Sequence, residues 1–257
     1  HDGAGLTFSR KPGQFDDSYA QSFTTYNSAT GKVTFVALAG NRPYILTADE
    51  SLSGWTQSSQ LEASSQLSMV TIALNADNTK AYVASVASTV PLLHICNPDG
   101  EACSSASLST TAASTDKRLS LVIDPTNPNI LLGFTGTDEH YYILRCDTSG
   151  TGCIETDMTA ESGVSGFGVW GAIAIDANAS PPRLLVAAES SVDGRTSILA
   201  CNVDVTNCAT FTPTGMATNT GLEPHLAVLP DSRIAVATRE ATSFDGYLHV
   251  LTLQPPP

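Results

Sequence analysis

A unit of about fifty residues recurs five times along this 257-residue chain. Each copy holds two short apolar strands joined by a turn, at residues 23–38, 69–86, 119–134, 172–188 and 226–237. A third apolar strand follows in each copy, at residues 44–46, 92–96, 141–146, 197–201 and 247–251. Such a fixed period is typical of radially repeated sheets, because one sheet of this size cannot bury both of its faces alone. The sequence therefore predicts an all-β fold, a five-bladed β-propeller of four-stranded antiparallel blades.

The two ends of the chain complement each other. The fifth unit has almost no chain left after its third strand, whereas residues 5–10 (GLTFSR) precede the first unit and alternate in polarity. We expect this segment to form the last strand of the fifth blade and close the ring, so that no sheet edge stays exposed. The whole chain is then one domain, with blades at residues 15–62, 63–114, 115–163, 164–218 and 219–254.

The composition fits one large β domain and argues against a membrane span and against nucleic-acid binding. No apolar run approaches the roughly 18 residues of a membrane span, and no helical period persists along the chain. The net charge is −13 and the chain has only four lysines, which argues against nucleic acid because phosphates require clustered Lys and Arg. The acidic balance is also explained by solubility alone. Its oligomeric state does not follow from the sequence.

Six cysteines form three pairs with identical spacing. Each first cysteine ends a third strand, and each second cysteine precedes the expected fourth strand; the pairs are Cys96 with Cys103, Cys146 with Cys153, and Cys201 with Cys208. The segments between them are rich in residues that favour tight turns. Only local pairing is consistent in all three units, so we predict three disulfides, one within each blade.

Metal binding is the competing interpretation of these cysteines. Zinc sites usually bring C-x₂₋₄-C pairs together in space, whereas these pairs belong to three different blades. We therefore expect no metal and no cofactor. Because disulfides persist in oxidising compartments, the sequence predicts a secreted, periplasmic or cell-surface protein.

The turn between the third and fourth strands resembles the Asp-box hairpin of sialidase-type (BNR) propellers, roughly Ser/Thr-x-Asp-x-Gly-x-x-Trp. In the first unit the resemblance consists of residues 47–49 (TAD) with Gly54 and Trp55, and in the second of Asp99 and Gly100. In the three units with predicted disulfides, cysteines stand at the Ser and Trp positions. In that family the box is structural and lies opposite the ligand-binding face, so the resemblance implies architecture and no chemistry.

Function is expected at the other face, where the loops entering the innermost strands surround the channel mouth together with the loops between second and third strands. These loops contain charged residues of both signs. Each candidate has two interpretations: Trp170 stacks on a sugar or plugs the channel, and Arg118 with Asp116 binds an anion or forms a solvated cluster. His225 with Glu223 acts as an acid/base pair, or the histidine merely caps a strand. The predicted ligand-binding residues are Asp116, Arg118, Trp170, Glu223 and His225.

Two classes of function fit these residues. The first is a binding module that recognises carbohydrate or another extracellular ligand at the channel mouth. The alternative is a small glycoside hydrolase, since five-bladed propellers include enzymes of this kind with paired carboxylates at the mouth. Its catalytic carboxylates are then Asp17, Asp116 and Glu223. No nucleophile-elbow, zinc-protease, P-loop or dinucleotide motif is present.

Overall fold

The fold is a five-bladed β-propeller, in a computed structural model that describes residues 22–27, 30–39, 42–49, 56–58, 61, 67–108, 110–213, 216–243 and 245–252. The strands form five antiparallel sheets in which strands consecutive in the chain are neighbours. This confirms the fold class that the repeat predicts. The expected closing strand at residues 5–10 and the candidate Asp17 lie outside the described residues.

Four sheets contain four strands each. The first comprises β1 (Ser22–Asn27), β2 (Lys32–Ala39), β3 (Arg42–Asp49) and β4 (Thr56–Gln57). The second comprises β5 (Leu67–Leu74), β6 (Ala81–Ala87), β7 (Val90–Cys96) and β8 (Ser104–Ser107). The third comprises β9 (Ser120–Ile123), β10 (Ile130–Thr135), β11 (Tyr141–Cys146) and β12 (Ile154–Asp157). The fourth comprises β13 (Phe167–Asp176), β14 (Arg183–Ser190), β15 (Thr196–Asn202) and β16 (Ala209–Phe211).

The fifth sheet has three strands within the described part of the chain: β17 (Leu222–Val228), β18 (Ile234–Arg239) and β19 (Gly246–Leu251). Among the described residues no strand pairs with the outer edge of β19. Two apolar side chains of this strand are exposed, Leu248 at 69% and Val250 at 47%. An apolar edge of this kind is a site for pairing with another strand, as the predicted closure by residues 5–10 requires.

The apolar core lies between neighbouring blades rather than within any one of them. Because side chains alternate across a strand, each blade presents one apolar face to the blade before it and one to the blade after it. This explains why β10 is buried at every position. Four clusters fill the spaces between consecutive blades, represented by the pairs Ile45 and Val83, Leu93 and Leu132, Ile143 and Val186, and Ile198 and Val236.

The three predicted disulfides are confirmed. Bonds join Cys96 to Cys103, Cys146 to Cys153 and Cys201 to Cys208, and no cysteine of the described chain is free. Each bond closes the hairpin between the third and fourth strands of the second, third or fourth blade. Three such bonds favour an oxidising, extracellular compartment.

These hairpins also share one backbone conformation. In each, the residue after the first cysteine exchanges backbone hydrogen bonds with residues three and four positions further on. The fourth and sixth residues after that cysteine have positive φ, a conformation that suits glycine and costs other residues energy. The fourth-position residues are Gly100, Gly150 and Val205, and the sixth-position residues are Ala102, Gly152 and Asn207.

Helix is almost absent, as the sequence predicts. The helix of the described chain is α1 (Met158–Ser162), a single turn that follows β12. The Asp157 side chain caps its start by accepting hydrogen bonds from the backbone N–H groups of Thr159 and Ala160, and Gly163 ends it at a φ of 63°. None of the helical structure described is long and apolar enough to cross a membrane.

Candidate ligand-binding site at the channel mouth

The first strands of the five sheets pack on one another in chain order and line the channel. Three of them begin irregularly: the pairing register shifts between Ser68 and Val70, between Phe167 and Gly171, and between Leu222 and His225. Such bulges re-aim side chains and free backbone groups from the sheet. The candidate site is built on the bulges of the fourth and fifth blades.

Arg118 crosses the channel. It lies two residues before β9 of the third blade, and its guanidinium contacts β17 of the fifth blade, which is not adjacent in a ring of five. Nη2 donates hydrogen bonds to the backbone carbonyl oxygens of Glu223, at 3.2 Å, and Pro224, at 3.0 Å. Nη1 lies against the ring of His225, 2.7 Å from Nδ1. Arg118 thus occupies carbonyl groups that the bulge takes out of the sheet.

Glu223 is held in a strained conformation by contacts from three blades. Its φ is 49°, which is uncommon for a residue other than glycine. Besides the Arg118 contact to its carbonyl, its backbone N–H donates to Glu189 Oε2 on β14 of the fourth blade at 3.1 Å. Its carboxylate accepts a hydrogen bond from Arg239 at the end of β18. The shape of the bulge is therefore fixed from the third, fourth and fifth blades at once.

The pKa values of the two glutamates of this cluster, Glu189 and Glu223, are shifted in opposite directions. Burial raises the pKa of the Glu189 carboxyl, despite the hydrogen bond from Glu223, because desolvation disfavours its charged form. The hydrogen bond from Arg239 lowers the pKa of Glu223. Two carboxyls with separated pKa values are a recurring arrangement in acid/base chemistry. Glu189 is only 8% exposed, whereas the Glu223 side chain is 31% exposed.

Lys117 and Trp170, both half-buried, form the part of the site next to Asp116. The Lys117 ammonium lies 4.7 Å from the centre of the Trp170 ring, a cation–π contact that covers one face of the indole. Lys117 Nζ is also 3.5 Å from a carboxylate oxygen of Asp116. The Ser114 hydroxyl donates to Asp116, and this hydrogen bond is the largest cause of the lowered pKa of Asp116. Trp170 is half-buried, so a ring could stack only on the part that Lys117 leaves open.

His225 is the exposed end of the Arg118 contact. Partial desolvation of the ring and the adjacent Arg118 charge lower the pKa of His225, so the imidazole is neutral at pH 7. A neutral imidazole can accept a hydrogen bond from the guanidinium on one nitrogen and donate from the other. It does not neutralise the charge of Arg118.

The structure brings together all the predicted ligand-binding residues, although the sequence placed several in the wrong kind of element. Trp170 belongs to β13, and Glu223 and His225 belong to β17, so they are strand residues and not loop residues. The bulges explain the difference, because they let strand residues face the channel mouth. Asp116 and Arg118 do lie in the loop that precedes β9.

The mouth loop of the third blade forms a separate cluster. His140 Nδ1 lies 2.8 Å from the Asp157 carboxylate, which is the largest cause of the raised pKa of His140. The neighbouring Tyr142 hydroxyl donates to Asp138 at 2.6 Å, and its ring stacks on that of His140. The described residues include no group of three or more His, Cys, Asp or Glu that could hold a metal ion.

Sequence reasoning missed two buried residues of the site, Glu189 and Tyr141. Glu189 had a signal, because it is an acidic residue at the end of an otherwise apolar run (LLVAAE). Tyr141 is fully buried. A Cβ added at Gly133 would lie 2.2 Å from its hydroxyl oxygen, and one added at Gly171 would lie 2.3 Å from its ring. Isolated glycines inside strands mark such close approaches, but they do not say which residue approaches.

Comparison with known proteins places the chain by fold only. No family model matches the sequence, and no curated protein matches it. A solved endo-arabinase from Bacteroides thetaiotaomicron VPI-5482 is similar in structure, with a TM-score of 0.53, 13% identity and coverage of 91% of this chain and 94% of the other. The SapL1 lectin, solved with α-methyl fucoside, has a TM-score of 0.60, 11% identity and coverage of 90% and 76%.

A chain of a nidogen/laminin complex is also similar, with a TM-score of 0.53, 12% identity and coverage of 87% of this chain and 77% of the other. The neighbours thus include a carbohydrate-cleaving enzyme, a carbohydrate-binding protein and a protein complex. At these identities the likeness establishes the propeller fold and carries neither activity nor site residues to this chain. The resemblance of the outer turns to Asp-box hairpins stays a prediction.

Proposed function

We propose that this protein is an extracellular binding module that recognises carbohydrate at the channel mouth. The proposal depends on one observation: the partly accessible indole of Trp170 lies next to charged side chains that are held in place by hydrogen bonds. Lys117 lies on Trp170, and the next residue, Arg118, crosses to the strained segment at Glu223. Sugars are commonly bound by one aromatic face and a few polar groups held in place beforehand. The lectin and the endo-arabinase with this fold support the proposal.

The test is a glycan-array screen with a parallel hydrolysis assay, followed by substitution of the indole. For a ligand found by the screen, we expect Trp170→Ala to weaken binding by about 1–3 kcal/mol, because stacking area is lost. Trp170→Phe keeps an aromatic face and should lose less. Tyr26→Ala is a matched control, since this half-exposed aromatic lies at the end of β1, next to the turn into β2 and opposite the mouth. Unchanged affinity in Trp170→Ala would move the binding site away from this face.

A second candidate, glycoside hydrolysis, is favoured by one observation: the separated pKa values of Glu189 and Glu223. In this scheme Glu189, whose pKa is raised, is the proton donor, and Glu223 or Asp116 is the ionised partner. Hydrolysis of a bound glycan that is abolished by Glu189→Gln and by Glu223→Gln or Asp116→Asn, with binding retained, would establish it. Retention without product release supports the binding module instead.

A further inference from the structure

Arg118 is a buried cation without a salt bridge of its own: Glu223, the acidic residue that acts on its charge, is paired with Arg239. It is 6% exposed, and burial lowers its pKa. The described residues provide no carboxylate within 4.0 Å of its guanidinium, although other arginines of the chain have one, including Arg183 and Arg239. Its partners are two neutral carbonyl groups and a neutral imidazole. Buried charges in proteins are normally paired, because an unpaired charge is costly to remove from water.

The same region also contains two buried polar atoms without hydrogen-bond partners. Arg118 Nε and the Tyr141 hydroxyl are both buried and have no hydrogen-bond partner. The two side chains are close enough for the charge of Arg118 to lower the pKa of the Tyr141 hydroxyl, against the larger effect of burial. Neither atom can be reached by a ligand, so both add to the cost of burying the Arg118 charge, which a nearby anion would reduce.

Two neighbours of Arg118 connect its guanidinium to the surface of the channel mouth. His225 is exposed and touches the guanidinium, and Lys117 precedes Arg118 in the chain and lies on Trp170. An anionic group at the exposed side of the His225 ring would interact with the Arg118 charge across the imidazole, at longer range than in a direct ion pair.

We infer that the channel mouth selects an acidic saccharide, whose carboxylate or sulfate group supplies the counter-charge to Arg118. The inference rests on the proposed function and specifies its ligand class. The net charge of −13 makes this selectivity unexpected from the overall balance, since the surface as a whole repels anions. The attraction is therefore local to the mouth and decreases as salt screens it.

The experiment compares matched acidic and neutral glycans on the unmodified protein. One arm uses oligogalacturonate and its methyl ester, sialylated glycans and their asialo forms; the other uses sulfated galactan oligosaccharides and their desulfated forms. We expect an acidic member of at least one pair to bind about ten- to a hundredfold more tightly than its neutral counterpart, as charge-assisted hydrogen bonds require. The arm that shows the preference identifies the anionic group. We also expect the ratio to fall as salt rises.

Substitution of the arginine locates the preference. In Arg118→Gln the ratio of acidic to neutral affinity should fall towards one, and Arg118→Lys should keep part of it. Arg233→Gln is the matched control: this exposed arginine pairs with Asp231 in the turn between β17 and β18, so the same charge is lost elsewhere. If Arg118→Gln does not fold, Lys117→Gln should reduce the ratio instead.

The outcomes separate the inference from the proposed function. If neutral glycans bind as tightly as their acidic partners, the inference is wrong and the carbohydrate-binding proposal stands. If an acidic preference is retained in both Arg118→Gln and Lys117→Gln, the anion binds elsewhere and the inference is also wrong. Binding of no glycan at all would overturn both.

Discussion

The second, third and fourth blades differ from the fifth in how their outer edges are secured. In those three blades a disulfide closes the hairpin between the third and fourth strands, and the turn has the same two positive-φ positions. The fifth blade has no cysteine, and its last described strand, β19, exposes Leu248 and Val250. Yet the fifth blade carries the strained Glu223 of the candidate site.

The difference separates local from long-range stabilisation. A stapled hairpin is stabilised by residues within eight positions of one another in the chain. The fifth blade depends on contacts from elsewhere: Arg118 and Glu189 fix its first strand, and a distant segment is predicted to pair with its third. Strain at Glu223 persists only because these surrounding contacts determine it.

The largest predicted effect is on the edge of the fifth blade. If residues 5–10 pair with β19, deletion of residues 1–10 removes a ladder of backbone hydrogen bonds and exposes an apolar strand edge. We expect a loss of several kcal/mol in the free energy of unfolding, measured by denaturant titration, together with aggregation. Deletion of residues 1–4 alone is the control and should have little effect.

A synthetic peptide of residues 1–10 added to the truncated protein should restore part of the lost stability, because it can pair with β19 in trans. A truncated protein that melts within a degree or two of the full chain would show that the segment is a tail. The fifth blade would then not depend on pairing with a distant segment of the chain.

The next effect concerns the staples. Replacing both Cys146 and Cys153 by serine should lower the free energy of unfolding by about 2.5 kcal/mol, because the unfolded chain regains the entropy of an eight-residue loop. The other two cysteine pairs close loops of the same length, so their removal should cost the same. A pair whose removal leaves the denaturation midpoint unchanged would show that its hairpin is held by packing alone.

The features that repeat could be predicted from the sequence, and those that do not repeat could not. The five strand patterns and the three cysteine spacings each recur, so each copy supports the others, and both predictions are confirmed. The residues of the mouth occur once. Their types indicated a polar site, but the contact of Arg118 with Glu223 joins residues 105 positions apart, and no local pattern encodes it.

The bulges set the remaining limit on prediction. Leu222 to His225 contains a proline that suggests an irregular strand, but the sequence does not show that Glu223 adopts a positive φ. That conformation comes from the three blades that hold the residue. The sequence therefore predicts that these residues lie near one another, but not which elements they belong to; their role in binding stays a prediction.

The smallest effect tests whether the three stapled turns are equivalent. Ala102 and Gly152 occupy the same position of their hairpins, with φ of 51° and 59°. Alanine is strained in this conformation and glycine is not, so Ala102→Gly should stabilise the protein by about 0.5–1 kcal/mol, and Gly152→Ala should destabilise it by a similar amount. Asn207→Gly is the internal control, because asparagine tolerates positive φ and its replacement should change little. Matched denaturant titrations measure all three. If Ala102→Gly and Gly152→Ala changed stability in the same direction, the two turns would not share a conformation in solution, and the stapled blades would differ among themselves as well as from the fifth.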